Sequence, residues 1–271
     1  MKSYKEYIEE CRVVDTGWDP NTFTMDVNGE RIGIDLPDNY DHLIKRIGIE
    51  LRKKLRNGEC EDDVRGIVTK INDPLSIPEV IKLGEHFSRE MSEKFYGGEC
   101  AVSRVHPYRN NIVDEREGAS WLWHYDNAAP GCIKLMVYLT PTDRETGAFL
   151  ALRKSSGEYL RVEPSRISPK KLQRVKWKGA RVPKKVINEL KSEGYRDFYV
   201  EGHPGTFLVF NNNIIHKATI PQRDPARLCL IYIFRPYHKE LKYHISPKIT
   251  GDWSDNGHIK SRFYDYNKLK N

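Results

Sequence analysis

The stretch Trp121-Leu-Trp-His124-Tyr-Asp126-Asn127 carries an imidazole and a carboxylate two residues apart. On an extended chain, side chains at i and i+2 point to the same face. His124 and Asp126 are therefore expected on one side, with Trp121, Trp123 and Tyr125 on the other. A neutral imidazole beside a carboxylate supplies two ligands of a 2-His-1-carboxylate metal site, the kind that holds Fe(II) and leaves coordination positions open. The third ligand has to come from a distant stretch, and His216 in Asn211-Asn-Asn-Ile-Ile-His216 is the candidate. Nine His and seventeen Asp in 271 residues produce a His-x-Asp by chance in about one of every two such chains. The pair by itself decides nothing, so the surrounding elements have to.

From residue 99 onward, short apolar runs alternate with turn residues, and the pattern predicts strands at 99–106, 120–126, 131–139, 147–153, 198–201, 205–210, 213–217 and 226–234. About eight short strands with loops between them suggest a mainly β chain whose core is a double-sheet jelly roll of cupin-like architecture. In Cys132-Ile-Lys-Leu-Met-Val-Tyr-Leu139 one parity (Ile133, Leu135, Val137, Leu139) is wholly apolar and belongs against a core. The other (Cys132, Lys134, Met136, Tyr138) is mixed enough to line a cavity. Lys134 on such a strand needs an anionic partner, because an inward lysine is costly alone.

Residues 1–98 read as a helical flank with one hairpin, placed to cover a face of the sheet. Tyr4 to Cys11 is expected to be a short helix, and 22–27 and 31–34 to pair across Asn28-Gly29. Residues 40–56 place Leu43, Ile44, Ile47, Leu51 and Leu55 at helical spacing. Ser76-Ile-Pro-Glu79 has the capping-box pattern, opening a helix to about Phe95 that Gly97-Gly98 stops. The segment 158–197 contains Ser168-Pro169 and Val182-Pro183 as helix starts and Gly194 as a stop, and reads as an insertion into a single catalytic domain spanning 1–271, with 237–271 as a tail.

Length and composition bound the answer. A chain of 271 residues, 38% hydrophobic and 11% aromatic, can bury one sizeable core. No apolar run approaches the roughly 18 residues of a membrane span, and Met-Lys-Ser-Tyr-Lys-Glu-Tyr has no apolar signal region. Five cysteines (Cys11, Cys60, Cys100, Cys132, Cys229) without a C-x-x-C point to reduced thiols and a cytoplasmic location. The net charge of +7 is concentrated: residues 151–200 hold fourteen Lys/Arg and five Asp/Glu, so the rest of the chain is slightly acidic.

After His216 come Pro221-Gln-Arg-Asp-Pro225 and the strand Ala226-Arg227-Leu-Cys-Leu-Ile-Tyr-Ile-Phe234. A hairpin centred between 221 and 222 sets Arg227 opposite His216. Guanidinium grips a carboxylate through two parallel charge-assisted hydrogen bonds. An arginine near an iron ligand thus suits a co-substrate that chelates iron at one end and carries a carboxylate at the other, which describes 2-oxoglutarate.

Trp123-His124-Tyr-Asp126-Asn127, Lys134-Leu-Met-Val-Tyr-Leu139, Glu145-Thr-Gly147-Ala-Phe149, and Phe210 through His216 to Arg227 together resemble the phytanoyl-CoA dioxygenase-like branch of Fe(II)/2-oxoglutarate oxygenases, over about residues 99–236. The resemblance implies a double-stranded β-helix, iron on His124, Asp126 and His216, the distal carboxylate of 2-oxoglutarate on Arg227, and O2 as second co-substrate. It further implies hydroxylation, because related halogenases have a small residue where Asp126 stands. Members often carry a small hydroxyl residue two positions after the distal histidine or the arginine. Here those positions hold Ala218 and Cys229, leaving Thr219, Lys134 or Tyr138 to share the carboxylate. Arg153-Lys-Ser-Ser-Gly157 replaces a Pro-Gly-Ser-His-like turn.

Other readings stand beside this one. A non-catalytic jelly-roll protein could use the same cavity to bind a ligand. The basic segment, with Lys170, Lys171, Arg174, Lys176 and Lys178, reads as a solvated face, a lid for an anionic small-molecule substrate, or a contact for nucleic acid. His238-Lys-Glu240 lies beyond the last strand, and His106 and His203 sit at strand ends, so none of the three is expected to bind metal.

Overall fold

A computed structural model describes residues 25–28, 30, 33–96, 100–113, 119–126, 132–162, 180–236, 253–254 and 258–259. Every strand pairing among them is antiparallel. Strands β1 (Met25–Val27), β2 (Cys60–Asp62), β3 (Val68–Ile71), β4 (Cys100–Asn110), β5 (Ile133–Tyr138), β8 (Phe207–Asn211), β10 (Leu228–Pro236), β11 (Trp253–Ser254) and β12 (His258–Ile259) form the larger sheet. Its central order is β1-β8-β5-β10-β4, with β3 and β12 both beside β4. The smaller sheet runs β7 (Arg196–Val200), β6 (Phe149–Arg153), β9 (His216–Ala218), and isolated bridges extend it from His216 to His124 and from His124 to Arg181. Two antiparallel sheets face to face, with consecutive strands crossing between them, make the expected double-stranded β-helix.

The alternation along β5 divides its side chains as expected. Ile133, Leu135, Val137 and Leu139 join the cluster that packs under the helices, whereas Met136 and Tyr138 join the cluster between the sheets. Strand β10 is apolar on both faces because it is central: Leu228, Leu230, Tyr232 and Phe234 face the helices, and Cys229, Ile231 and Ile233 face the opposite sheet.

Helix α1 (Tyr40–Arg56) buries Leu43, Ile44, Ile47 and Leu51 on one stripe, and α2 (Pro78–Glu90) buries Val80, Leu83 and Phe87. Buried polar contacts add direction to this apolar packing. Tyr232 Oη donates to the Val80 carbonyl at 2.7 Å, and Tyr40 Oη to the Gly205 carbonyl at 2.6 Å. Phe87, wholly buried, meets the rings of Tyr40, Phe207 and Tyr232 at 5.6–6.4 Å. Phe87→Ala is expected to lower stability by about 3–5 kcal/mol, measured by urea unfolding. A loss under about 1 kcal/mol would mean that α2 does not close the sheet.

Several local expectations are corrected. Of the 22–34 hairpin only part lies within the described residues: Asn28 turns with φ +57°, β1 pairs with β8, and residues 33–34 are not strand. A lone two-stranded ribbon is marginal in water, and the open backbone of β8 offers three ladder positions (Met25↔Phe210 to Val27↔Leu208). The capping box is not made. Ile77 caps α2, Pro78 opens it, and Ser76 Oγ donates to the Asp73 carbonyl instead. A π-helical turn, Met91–Tyr96, carries the chain on to the predicted end. Residues 120–126 are not a continuous strand but a 3-10 turn at Ala119–Trp121 followed by an extended stretch bridged only at His124. Helix α3 (Lys184–Ser192) follows Pro183, and Gly194 at φ +96° ends the turn after it, as read from the sequence. Strand β7 begins at Arg196, inside the span assigned to the insertion. The Tyr4–Cys11 helix, Ser168-Pro169, Lys170 to Lys178, His238 and most of the 237–271 tail lie outside the described residues. No helix among those described is long and apolar enough to cross a membrane.

Candidate metal centre

The histidines are placed by backbone pairing. His124 N–H donates to the His216 carbonyl at 2.9 Å and His216 N–H returns the bond at 2.8 Å, so the two residues are directly opposed and their side chains share a face. Asp126 is held by its own N–H on the Asn212 carbonyl at 2.9 Å. One ligand atom from each of His124, Asp126 and His216 lies within 4.8 Å of the others, which is a group able to hold a metal ion. His124 Nε2 stands 3.8 Å from Asp126 Oδ1, and the two imidazole centroids are 4.3 Å apart. The aromatic neighbours point elsewhere: Trp121 and Tyr125 are buried in separate clusters, and the Lys217 ammonium sits 5.7 Å from the ring of Trp123.

The donor set has the protonation a metal needs. His124 Nδ1 lies 2.7 Å from the Leu122 carbonyl and His216 Nδ1 2.9 Å from that of Ile214. A carbonyl only accepts, so each Nδ1 carries the proton and each Nε2 presents a lone pair. Burial disfavours the imidazolium: it pushes His216 down to about 3, with the His124 and Lys134 charges acting the same way, and it lowers His124 too. For Asp126, burial alone would raise the carboxyl, but Lys134 and the two histidines outweigh it and hold the group far below the usual carboxylate range. Two neutral imidazoles and one carboxylate at neutral pH fit a divalent metal without loss of a proton.

Lys134 reaches Asp126, its Nζ 2.5 Å from Oδ2. The anionic partner that its strand position required is thus the metal ligand itself. The ammonium takes one carboxylate oxygen and leaves Oδ1 toward His124. Phe149 stacks on His216 at 5.2 Å and 18°, and Phe210 meets it edge-on at 5.4 Å, so the imidazole has little freedom to turn.

Arg227 and His216 are not a hairpin pair. β9 belongs to the smaller sheet and β10 to the larger, and the segment between them, with Pro221 and the cis Asp224-Pro225 bond, crosses from one to the other. Prolines lack the N–H that a hairpin ladder would use. Arg227, one residue before β10, continues the β10–β4 register opposite Asn110, whose N–H donates to the Arg227 carbonyl at 2.9 Å. Both histidine and arginine nevertheless face the space between the sheets. Arg227 is charged at any accessible pH and only 1% exposed; its Nη2 donates to Tyr108 Oη at 3.0 Å, while among the described residues Nε and Nη1 have no hydrogen-bond partner. Tyr138 lies beside it, accepting the Phe149 N–H at 3.2 Å and donating to the Val200 carbonyl at 2.9 Å. Contacts thus run from Arg227 through Tyr138 and Phe149 to His216. Thr219 Oγ1 is buried without a partner, its N–H bonded to the Ala148 carbonyl.

One polar residue escaped the sequence reading. Asn110 is fully buried, and among the described residues neither its amide nitrogen nor its oxygen has a hydrogen-bond partner. It faces Arg227 across the ladder, and a Cβ built on Gly147 would come within 2.6 Å of its nitrogen. Gly147 is thus required twice, by its φ of +109° and by the approach of this amide. Nothing in the strand pattern of 100–110 distinguishes Asn110; the nearest signal is Gly147 in Glu145-Thr-Gly147-Ala-Phe149.

No protein-family model matches the chain, and no curated protein matches it. Solved structures do. The epimerase SnoN, in complex with Fe3+, alpha ketoglutarate and nogalamycin RO, matches with TM-score 0.54 and 14% identity over 85% of this chain and 93% of that one. EctD from S. alaskensis matches in its apo form with TM-score 0.54 and 12% identity, over 89% and 82% of the two chains. With bound Fe it matches at TM-score 0.53 and 12% identity, over 93% and 90%. They share its fold.

Proposed function

We propose that the protein is an Fe(II)/2-oxoglutarate-dependent dioxygenase of the phytanoyl-CoA dioxygenase-like branch, hydroxylating an unactivated C–H of a small-molecule substrate. The observation that carries the co-substrate assignment is the guanidinium of Arg227. A fully buried cation with two unpartnered donors is costly unless an anion completes it, and Asn110 adds an unpartnered amide opposite it. Both lie in the same inter-sheet space as a neutral His-His-carboxylate set. Similar folds that hold Fe3+ with alpha ketoglutarate, and Fe, support the reading.

Iron on His124, Asp126 and His216, with 2-oxoglutarate and O2, supplies oxidation of a C–H bond with release of succinate and CO2. The chain does the rest. Arg227 and Asn110 hold the distal carboxylate, Arg227 by guanidinium donors that Tyr108 leaves free. Tyr108 and Tyr138 fix the guanidinium plane. Lys134 restrains Asp126, and the carbonyls of Leu122 and Ile214 keep both imidazoles in the ligating tautomer. Phe149 and Phe210 keep water from the back of His216. Cys60, Cys132 and Cys229, none in a disulfide, suit a reducing cytoplasm.

Turnover decides between this reading and a non-catalytic ligand-binding barrel. Anaerobically iron-loaded protein, given 2-oxoglutarate and air, is expected to release succinate, slowly without a primary substrate and faster with one. Absence of succinate with iron demonstrably bound would overturn the assignment.

A further inference from the structure

The smaller sheet carries one row of directly opposed residues across its width. Phe198 pairs with Ala151, Ala151 with His216, His216 with His124, and His124 with Arg181. Opposed residues of an antiparallel ladder share a face, so Arg181 belongs to the face that carries the metal-binding histidines. Its pairing is of the close kind. Tyr125 N–H donates to the Ala180 carbonyl at 3.0 Å and Val182 N–H to the Trp123 carbonyl at 2.8 Å, flanking His124 and Arg181 without bonding them to each other. Side chains of such a non-hydrogen-bonded pair approach most closely, with Cα atoms about 4.5 Å apart. Tyr125, Val182 and Ile215, of the other parity, are buried beneath α3. Arg181 itself is exposed, at the end of the row.

A second cation approaches from the other sheet. Arg65 lies in the turn between β2 and β3, closed by the Gly66 N–H on the Asp63 carbonyl at 2.8 Å, and it too is exposed. The two guanidinium groups are near enough for Arg65 to act on Arg181, adding to the effect of desolvation there, while the opposing field is that of Asp126. That carboxylate is already engaged by Lys134. Among the described residues, no Asp or Glu forms an ion pair with either arginine. Two like charges beside a metal centre, neither of them ion-paired to an acid among the described residues, favour an anion there.

We infer that Arg181 determines specificity: its guanidinium takes an anionic group of the primary substrate, a carboxylate or phosphate, and Arg65 adds a second positive charge. The inference rests on the oxygenase reading for what happens next, since an anion held beside His124 brings the attached carbon skeleton over the iron ligands. Co-substrate and substrate anions would then be separated, the first on Arg227 inside the barrel and the second on Arg181 at its mouth.

The test uses the full chain, with and without Zn2+ and 2-oxoglutarate, and ligand-observed NMR. The probes are carboxylic acids and phosphate monoesters, each beside its neutral amide or alcohol. Acids are expected to bind at least about tenfold tighter than their neutral counterparts, the scale of one charge-assisted fork. Arg181→Gln should remove that margin and Arg181→Lys keep part of it, while Arg65→Gln should reduce it. Added salt should erode it, since exposed charges are screened over about 10 Å at 0.1 M. Neutral members binding as well as acids, no member binding, or Arg181→Gln leaving the margin intact would overturn the inference. So would a loss confined to 2-oxoglutarate, which would make Arg181 part of the co-substrate site. Failure of the oxygenase reading shows separately, as wild-type protein that does not bind 2-oxoglutarate.

Discussion

His216→Ala and Asp126→Ala should each weaken iron binding by more than 100-fold and abolish succinate release. Changes to groups that merely support metal ligands already cost about 10–100-fold in affinity, and each variant removes a ligand outright. The two differ in what they leave behind. His216→Ala deletes a ring stacked on Phe149 and opens a cavity between the sheets. Asp126→Ala strands the ammonium of Lys134, which is only 16% exposed. Breaking a buried pair from one side costs about 3–5 kcal/mol, so this variant should be markedly less stable. Asp126→Ala combined with Lys134→Met should recover much of that stability and none of the iron, which separates ligation from folding. Metal content after anaerobic loading and thermal unfolding measure the two effects. Retained iron in either single variant would remove that residue from the centre.

Arg227→Lys should raise the Kd for 2-oxoglutarate by about tenfold to a hundredfold while iron content stays normal. Hydrogen bonds to charged groups contribute about 1.5–3 kcal/mol each, and a lysine keeps the charge but not the planar set of guanidinium donors. It also leaves Tyr108 without the Nη2 bond of 3.0 Å. Asn110→Ala should act in the same direction and more weakly, since one neutral amide is lost. Anaerobic titration of the iron-loaded protein with 2-oxoglutarate reads both. An unchanged Kd in Arg227→Lys would transfer the distal carboxylate to another cation. Lys134 would be first in line, although Asp126 already holds it.

How much of this was readable beforehand depends on range. Period-two alternation and the 40–56 helical stripe report burial directly, because a residue's own side chain decides which face is wetted. The strands from 131 to 234, the inward parity of Lys134, Met136 and Tyr138, and both helix positions therefore came from local pattern. The candidate metal ligands were legible for a different reason: a histidine and a carboxylate two residues apart share a face on an extended chain, and His124, Asp126 and His216 do converge. What failed was pairing. The 22–34 and His216–Arg227 hairpins were both inferred from sequence neighbourhood, whereas the described Met25–Val27 pairs with a distant strand and Arg227 lies opposite Asn110. β1 found β8, and β9 and β10 went to opposite sheets.

Sequence by itself determined the chemistry available: a neutral-imidazole and carboxylate donor set, and a guanidinium able to fork onto a carboxylate. Only the tertiary structure decided which charges meet. Lys134 could answer Asp126 or a co-substrate, and the packing of β5 against the 124–126 stretch chose Asp126. Asn110 reads as one more polar residue on a strand, until β10 sets it opposite Arg227 with both amide atoms unpartnered. Arg181 reads as part of a basic run, until a bridge fixes it beside His124. The physical reason is common to all three. A side chain's identity fixes what it can donate or accept, but its partner is chosen by backbone ladders joining residues far apart in the chain.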